Sequence, residues 1–346
     1  MDKLRVKPLW LTLLLLLSLN ALPSQGRAPA AAAVGNPAAA GGNPVTAGGN
    51  LKFAAFPGAV RPGEPFTAAL SGFALPPGSA AASPASPMKA LLIDPAGKQI
   101  GAAVLFDPGL ESKRGPVWAA LMAVPSTAAP GRGSLRFEAG GRTLGELPFT
   151  IEDRKFASET IAITDSMSDL LTVPDPQKTR EAQELWAILA HTGGDLYSLG
   201  NFILPVNSQV QTSRYGGRRI YKYPNGKSST SIHAGIDYRA PKGTPVSACA
   251  PGKVALAKFR IVTGNTIIIE HMPGVYSLCY HLDSIDVSPG DLVQTGTRLG
   301  SAGATGFATG AHLHWEVRVA AENTDPEAFL ERTVLDKDAI LKIMNE

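Results

Sequence analysis

The residues best suited to chemistry are histidines in the second half of the chain. The sequence holds six histidines, and several lie in short patterns: His233 with Asp237, a separate His281, and His312 with His314. Side chains two or four residues apart on an extended strand point to the same side. Each pair can therefore direct two polar groups into one cleft.

Imidazole nitrogens and a carboxylate oxygen are ligands that zinc takes in catalytic sites, where three protein groups bind and a fourth position stays open for water. These histidine patterns offer more candidates than three ligands require, so the remaining imidazoles are available for proton transfer. A solvated strand face is the alternative for any single pattern. The glycine-rich loops and the third histidine element between the two pairs favour one metal centre.

Four stretches of sequence carry a resemblance to a known family. They are HAGIDYRAPKGTPV (233–246), GNTIIIEH (264–271), YHLDSIDVSPGDLVQTGTRLG (280–300) and GATGFATGAHLHWEV (303–317). Over residues 202–319 the sequence resembles the lysostaphin-type (LytM-like) zinc metalloendopeptidases of bacterial peptidoglycan. The resemblance implies a largely antiparallel β fold with an open groove.

The resemblance also implies a role for each matching position. His233, Asp237 and His314 are the implied ligands of one Zn²⁺. His281 and His312 are the implied catalytic pair beside the metal, although the resemblance does not say which of them is the base. The implied enzyme is a zinc metalloendopeptidase that cuts peptide bonds in peptidoglycan stems or cross-links.

Two further points concern the substrate groove. A looser match in the stretch RYGGR (214–218) implies that Arg218 lines this groove and binds substrate. Related enzymes often carry a polar residue before the first motif that can occlude the metal, and this sequence shows no recognisable counterpart. Peptidoglycan peptides are the expected partner, whereas nucleic acid and a stable protein partner are not expected.

Two other functions remain open from the sequence. A catalytically silent protein can use the same fold to bind the wall and regulate a separate amidase. Such proteins typically lose some metal ligands, and this sequence retains all of them. A secreted peptidase that acts on another protein is the second alternative.

The N-terminus predicts export. Basic residues precede a leucine-rich run from Leu9 to Leu22, so residues 1–26 have the pattern of a signal peptide. An uncleaved membrane anchor is the alternative, but the run is shorter than the ~20 residues that a spanning helix needs. The expected location is the periplasm, the cell envelope or the extracellular space.

Composition divides the rest of the chain. Residues 27–50 are rich in Ala, Gly and Pro, which predicts a flexible spacer. Residues 51–152 hold seven short apolar segments between turns, which predicts an immunoglobulin-like β-sandwich with a spacer, targeting or inhibitory role. The remaining segments are a connector with a helix at 153–201, the zinc peptidase domain at 202–325 and a helical tail at 326–346. The predicted fold class is therefore mainly β.

Charge and cysteine content set further limits. A net charge of +3 is too small to indicate nucleic-acid binding, and a hydrophobic content of 44% allows a sizeable core. Cys249 and Cys279 are the two cysteines of the sequence. We expect free buried thiols, with a disulfide as the alternative for an exported protein.

Overall fold

The computed structural model describes residues 51–73, 87–333 and 335–346 of the chain. The predicted signal peptide and spacer, residues 1–50, lie outside this part. The described fold is mainly β, which confirms the predicted class at that level. Among the described residues, no helix combines the length and the apolar character needed to cross a membrane.

The N-terminal part of the described chain consists of strands. They are β1 (Lys52–Phe56), β2 (Ala59–Val60), β3 (Pro65–Ser71), β4 (Lys89–Ile93), β5 (Gln99–Val104), β6 (Phe106–Ser112), β7 (Gly115–Ala123), β8 (Gly131–Ala139) and β9 (Arg142–Ile151). In the described residues they form one sheet in the order β1-β3-β7-β6 and another in the order β2-β9-β8-β4-β5. The short β2 and the Pro- and Gly-containing β6 are strands that the sequence pattern did not indicate.

These two sheets share an apolar core. Phe66 of β3 packs on Phe149 of β9 with ring centroids 4.5 Å apart. Phe53 of β1 packs on Phe137 of β8 at 4.9 Å. In each pair one ring belongs to one sheet and the second ring to the other sheet. The inward faces of the two sheets are therefore packed against each other.

The segment between the two β regions contains a strand and two helices. They are β10 (Ser158–Ala162), α1 (Asp165–Thr172) and α2 (Pro176–Leu189). Asp175 caps the start of α2, because its carboxylate accepts a hydrogen bond of 2.7 Å from Gln177 N. Pro176 occupies the first turn, where its missing N–H costs nothing.

The C-terminal part is again β-rich and ends in short helices. Its strands are β11 (Gln211–Ser213), β12 (Arg218–Lys222), β13 (Ser228–Ile232), β14 (Ile236–Tyr238), β15 (Pro245–Ser247), β16 (Gly252–Arg260), β17 (Gly264–Met272), β18 (Val275–Ile285), β19 (Leu292–Val293), β20 (Arg298–Ala302), β21 (Leu313–Val319) and β22 (Glu322–Thr324). The helices are α3 (Glu327–Glu331) and α4 (Lys337–Asn345), close to where the sequence predicts them.

A large sheet and a small sheet position the histidines. The large sheet has the main order β11-β14-β21-β18-β17-β16-β19, and the small one has the order β10-β12-β13. In the small sheet β10 runs parallel to β12. The connector before the predicted peptidase domain therefore supplies one strand of this sheet. The polypeptide passes from β13 of the small sheet to β14 of the large sheet through His233 and Gly235.

The N-terminal sheets pack directly against the C-terminal part. Val117 and Leu121 of β7 belong to the same buried apolar cluster as Phe329 of α3 and Met344 of α4. Burial of such surface from both regions stabilises their contact. The backbone N of Asp325 also donates to Gly63 O at 2.7 Å.

Candidate metal centre and active site

His233 lies just after β13 and is held by the loop that precedes β12. Its backbone N donates to Gly217 O at 2.9 Å, and its ring Nδ1 donates to Arg214 O at 2.8 Å. These bonds leave Nε2 facing Asp237 Oδ1 and His314 Nδ1, each 3.1 Å away. The side chain is therefore fixed with one ring nitrogen directed into the cluster.

Asp237 and His314 are brought together by strand pairing. They are register partners across β14 and β21, and Asp237 Oδ1 lies 2.7 Å from His314 Nδ1. On the far side of the ring, His314 Nε2 donates to Glu316 Oε1 at 3.0 Å. Glu316 is 3% exposed and accepts from Arg318 Nε at 2.7 Å. Its buried carboxylate therefore holds the His314 ring in place.

Gly235 explains why these strands can approach so closely beside His233. A Cβ at this position would lie 2.2 Å from the backbone oxygen of Trp315 on β21. Real Cβ atoms do not approach an oxygen so closely, so a side chain here would push β14 away from β21. The glycine in the pattern His-Ala-Gly-Ile-Asp thus allows the pairing that places Asp237 opposite His314.

The three residues form a compact cluster that can hold a metal ion. One ligand atom from each of His233, Asp237 and His314 lies within 4.8 Å of the others, and all three residues are buried. Two imidazole nitrogens and one carboxylate oxygen are a donor set that suits Zn²⁺. Both imidazoles donate their other N–H to an oxygen acceptor, which is the usual way a protein orients histidine ligands.

The electrostatics of the cluster favour a cation. Burial would raise the pKa of Asp237, but hydrogen bonds with His233 and His314 hold the pKa well below its ordinary value. Burial lowers the pKa of His233 in spite of the nearby carboxylate. Burial also acts to lower the pKa of His314, yet Asp237 and Glu316 raise this pKa to about 9. Without a metal ion, the anionic carboxylates therefore attract positive charge to this position.

The two remaining histidines lie beside the cluster. The ring centroids of His281 and His312 are 5.0 Å apart, and His312 Nε2 lies 3.6 Å from Asp237 Oδ1. His281 Nδ1 donates to Thr305 O and His312 Nδ1 donates to Gly310 O, both at 2.8 Å. When either ring is neutral, its Nε2 is therefore the atom that can accept a proton.

His281 is held in an unusual backbone conformation. Its φ is 62°, which is rare for a residue other than glycine. The backbone N donates to Thr263 O at 2.9 Å, so the neighbouring turn fixes this geometry. Burial, with smaller contributions from His314 and His312, lowers the pKa of His281 to about 3. The ring is neutral at neutral pH, as a proton acceptor must be.

Arg218, which the sequence predicts in the substrate groove, has its side-chain contacts outside the metal cluster. Its Nη2 donates to Ser126 O at 2.7 Å, and its guanidinium lies over the Phe156 ring at 4.6 Å. The side chain therefore contacts the N-terminal β region and the connector. The adjacent Arg219 points to the other face of β12 and donates from Nη2 to Asp237 Oδ2 at 2.7 Å.

The sequence reasoning missed residues that surround the predicted set. Arg219 contacts Asp237, and Tyr280 stacks on the His314 ring with centroids 5.3 Å apart and planes 5° apart. Strand alternation contains part of the signal, because only one of two adjacent arginines can face the cluster. Glu159, which binds Arg219 Nε at 2.7 Å, gave no signal, since it precedes Arg219 by 60 residues.

Comparison with known proteins agrees with this geometry. Residues 231–326 match Peptidase family M23. The peptidoglycan DD-endopeptidase ShyB of Vibrio cholerae is 44% identical over 94 residues, which cover 27% of this chain and 22% of that protein. The DD-carboxypeptidase/endopeptidase Mpg of Neisseria meningitidis is 40% identical over 95 residues, which cover 28% of this chain and 22% of that protein. The chain thus spans only about a fifth of each of these relatives.

A solved structure is similar over a longer part of the chain. It is a candidate M23 peptidase from Pseudomonas aeruginosa, 24% identical, which covers 72% of this chain and 94% of its own with a TM-score of 0.50. At this identity the likeness concerns the fold alone. The matched residues 231–326 contain all five histidine and aspartate positions of the candidate site. The C-terminal part of this chain therefore contains a Peptidase family M23 domain.

Proposed function

We propose that the chain is an exported zinc-dependent endopeptidase that hydrolyses peptide bonds in peptidoglycan. The observation that carries the proposal is the convergence of His233, Asp237 and His314 within 4.8 Å, with His281 and His312 beside them. The relatives named as DD-endopeptidases support a bond in peptidoglycan cross-links as the one that is cut.

Zinc fits the donor atoms of this cluster. His233 Nε2, Asp237 Oδ1 and His314 Nδ1 would hold it, since each faces the other two. When bound, zinc supplies a Lewis acid that polarises the scissile carbonyl and makes water acidic enough to attack near neutral pH.

His281 and His312 handle the protons of the reaction. A neutral ring with Nδ1 bonded to a backbone carbonyl accepts the proton of the attacking water at Nε2. The protonated ring then donates to the leaving amine or to the negative oxygen that develops on the scissile carbonyl. Since Thr305 O and Gly310 O fix the two rings, this transfer needs no rotation of either side chain.

The N-terminal features complete the proposal. The signal-peptide pattern of residues 1–26 supports export to the periplasm, the cell envelope or the extracellular space. The two packed sheets of residues 52–151 support an immunoglobulin-like module. This module packs on the C-terminal part, which supports a role in holding the peptidase domain, beside the spacer, targeting and inhibitory roles expected from the sequence.

The test is digestion of purified cell walls by the exported protein, with and without a chelator. Solubilised wall that chelation abolishes and that added zinc restores supports the proposal. Mass analysis of the released fragments identifies the bond. No digestion with stimulation of a separate amidase would indicate the silent regulator instead, and cleavage of protein substrates alone would indicate a general secreted peptidase.

A further inference from the structure

We propose that Arg219 and Glu159 form a positioning pair that restricts Asp237 to one metal-binding oxygen. This inference rests on the proposed zinc site. It assigns a function to a strand of the connector and to residues that all precede the M23 match at 231–326.

The two carboxylate oxygens of Asp237 have separate partners. Oδ1 faces the cluster, 3.1 Å from His233 Nε2 and 2.7 Å from His314 Nδ1. Oδ2 accepts a hydrogen bond of 2.7 Å from Arg219 Nη2. One oxygen is therefore available to a metal ion, while the other is engaged by a fixed guanidinium.

Arg219 is held on several sides. Its Nε donates to Glu159 Oε1 at 2.7 Å and its Nη2 also donates to Ser213 Oγ at 2.8 Å. The side chain is 15% exposed. A planar guanidinium whose N–H groups are bound in two directions cannot turn away from Asp237 without breaking other hydrogen bonds.

Glu159 reaches this position through strand pairing. It is the register partner of Arg219 across the parallel strands β10 and β12. It also accepts from Ser213 Oγ at 3.0 Å, and the same hydroxyl lies 3.3 Å from His233 Nδ1. The pair thus contacts Asp237 directly and reaches His233 only through the Ser213 hydroxyl. Glu159 balances the charge of Arg219, so that Asp237 remains a strong anionic ligand.

The consequence for the metal site is its coordination number. A carboxylate with two free oxygens can bind zinc through both of them and fill a position that a catalytic site keeps open. With Oδ2 engaged by Arg219, binding through both oxygens of Asp237 would break a charge-assisted hydrogen bond. Arg219 therefore keeps a coordination position free for water or substrate.

The experiment compares the full chain with the variants Arg219→Met, Arg219→Lys, Glu159→Gln and Lys222→Met. The Kd for Zn²⁺ is measured by competition with a chromophoric chelator, and visible spectra of the Co²⁺-loaded proteins report coordination number. Four-coordinate Co²⁺ absorbs more strongly than five-coordinate Co²⁺. Lys222 is the matched control because it is an exposed cation on the same strand.

We expect Arg219→Met to weaken zinc binding by about 10–100-fold, as found for residues that support metal ligands, and to weaken the Co²⁺ bands. Arg219→Lys keeps the charge but loses the planar fork, so it gives a smaller change in the same direction. Glu159→Gln weakens binding less than Arg219→Met, and Lys222→Met matches the wild type.

The inference would be overturned if Arg219→Met kept the wild-type Kd for Zn²⁺ and the wild-type Co²⁺ spectrum. It would also be overturned if Lys222→Met lost as much zinc affinity as Arg219→Met. If Arg219→Met does not fold, unchanged values in both Arg219→Lys and Glu159→Gln would overturn it. If the wild-type chain binds no zinc, the proposed function fails first and the inference fails with it. These outcomes separate a failure of the positioning pair from a failure of the zinc site.

Discussion

Asp237 and His314 stand directly opposite each other on β14 and β21, with Asp237 Oδ1 2.7 Å from His314 Nδ1. Both strands belong to the large sheet, so the backbone ladder fixes the separation of two predicted metal ligands. His233 reaches the same point from the adjoining small sheet, with Nε2 3.1 Å from Asp237 Oδ1. The metal centre thus lies where the two sheets meet.

Loss of His314 should remove the metal, whereas loss of His312 should not. His314 Nδ1 belongs to the donor cluster, and His312 is held by Gly310 O outside the set of three. We expect His314→Ala to lower zinc affinity by more than the about 10–100-fold typical of supporting residues. Metal analysis after dialysis checks this, with His312→Ala as the matched control. Full zinc content in His314→Ala contradicts the ligand assignment.

Loss of His281 should leave the metal and remove turnover. The His281 ring is held by Thr305 O and is positioned to transfer a proton, a contribution worth typically ~10²–10⁴-fold in rate. We expect His281→Ala to keep one zinc per chain and to lower kcat on purified wall peptides by that factor. Turnover within a few-fold of wild type would show that His281 does not carry the proton.

The two thiols should remain free and unreactive in the folded protein. Cys249 and Cys279 are both unpaired and buried, and burial raises the pKa of Cys249 to about 12. We expect no reaction with a thiol reagent under native conditions and two reactive thiols after denaturation without reductant. Thiols that appear only when reductant is added would indicate a disulfide instead.

His271 should make stability depend on pH. It is fully buried, with Ser277 Oγ 2.8 Å from Nε2, and burial lowers its pKa from 6.5 to about 4. Between these values the unfolded chain binds the proton and the folded chain does not, so stability is present above pH 6.5 and is lost as pH falls towards 4. The expected loss from this group is about 3 kcal/mol.

Denaturant unfolding of wild type and His271→Gln at several pH values measures this contribution. The difference in the free energy of unfolding between the two proteins should shrink as the pH falls from 7 to 4. Other acidic groups titrate in both proteins and cancel in the comparison. If the difference in the free energy of unfolding stays constant over this pH range, His271 has an ordinary pKa in the folded protein.

The sequence predicted much of the site because strand periodicity carries the signal. His312 and His314 are two residues apart and both reach Asp237 Oδ1, at 3.6 and 2.7 Å. His233 and Asp237 also meet, but for a different reason than expected. They do not share one strand, because β13 ends before His233 and β14 begins at Ile236. A bend at Gly235 brings the two side chains together.

The sequence pattern did not predict contacts between residues that are far apart in the chain. Glu159 meets Arg219 only because β10 pairs in parallel with β12, and no local rule specifies that pairing. The contact of Arg218 with Ser126 O in the N-terminal β region is of the same kind, because it joins residues 92 positions apart. Because adjacent strand residues point to opposite faces, Arg219 faces the cluster and Arg218 faces the N-terminal β region.

The most direct test of the central claim is a crystal structure of the zinc-loaded protein with anomalous diffraction at the zinc edge. The account predicts one peak bound by His233 Nε2, Asp237 Oδ1 and His314 Nδ1, with a further coordination position left to water. A peak at other residues, or a fourth protein side chain in that position, would contradict it.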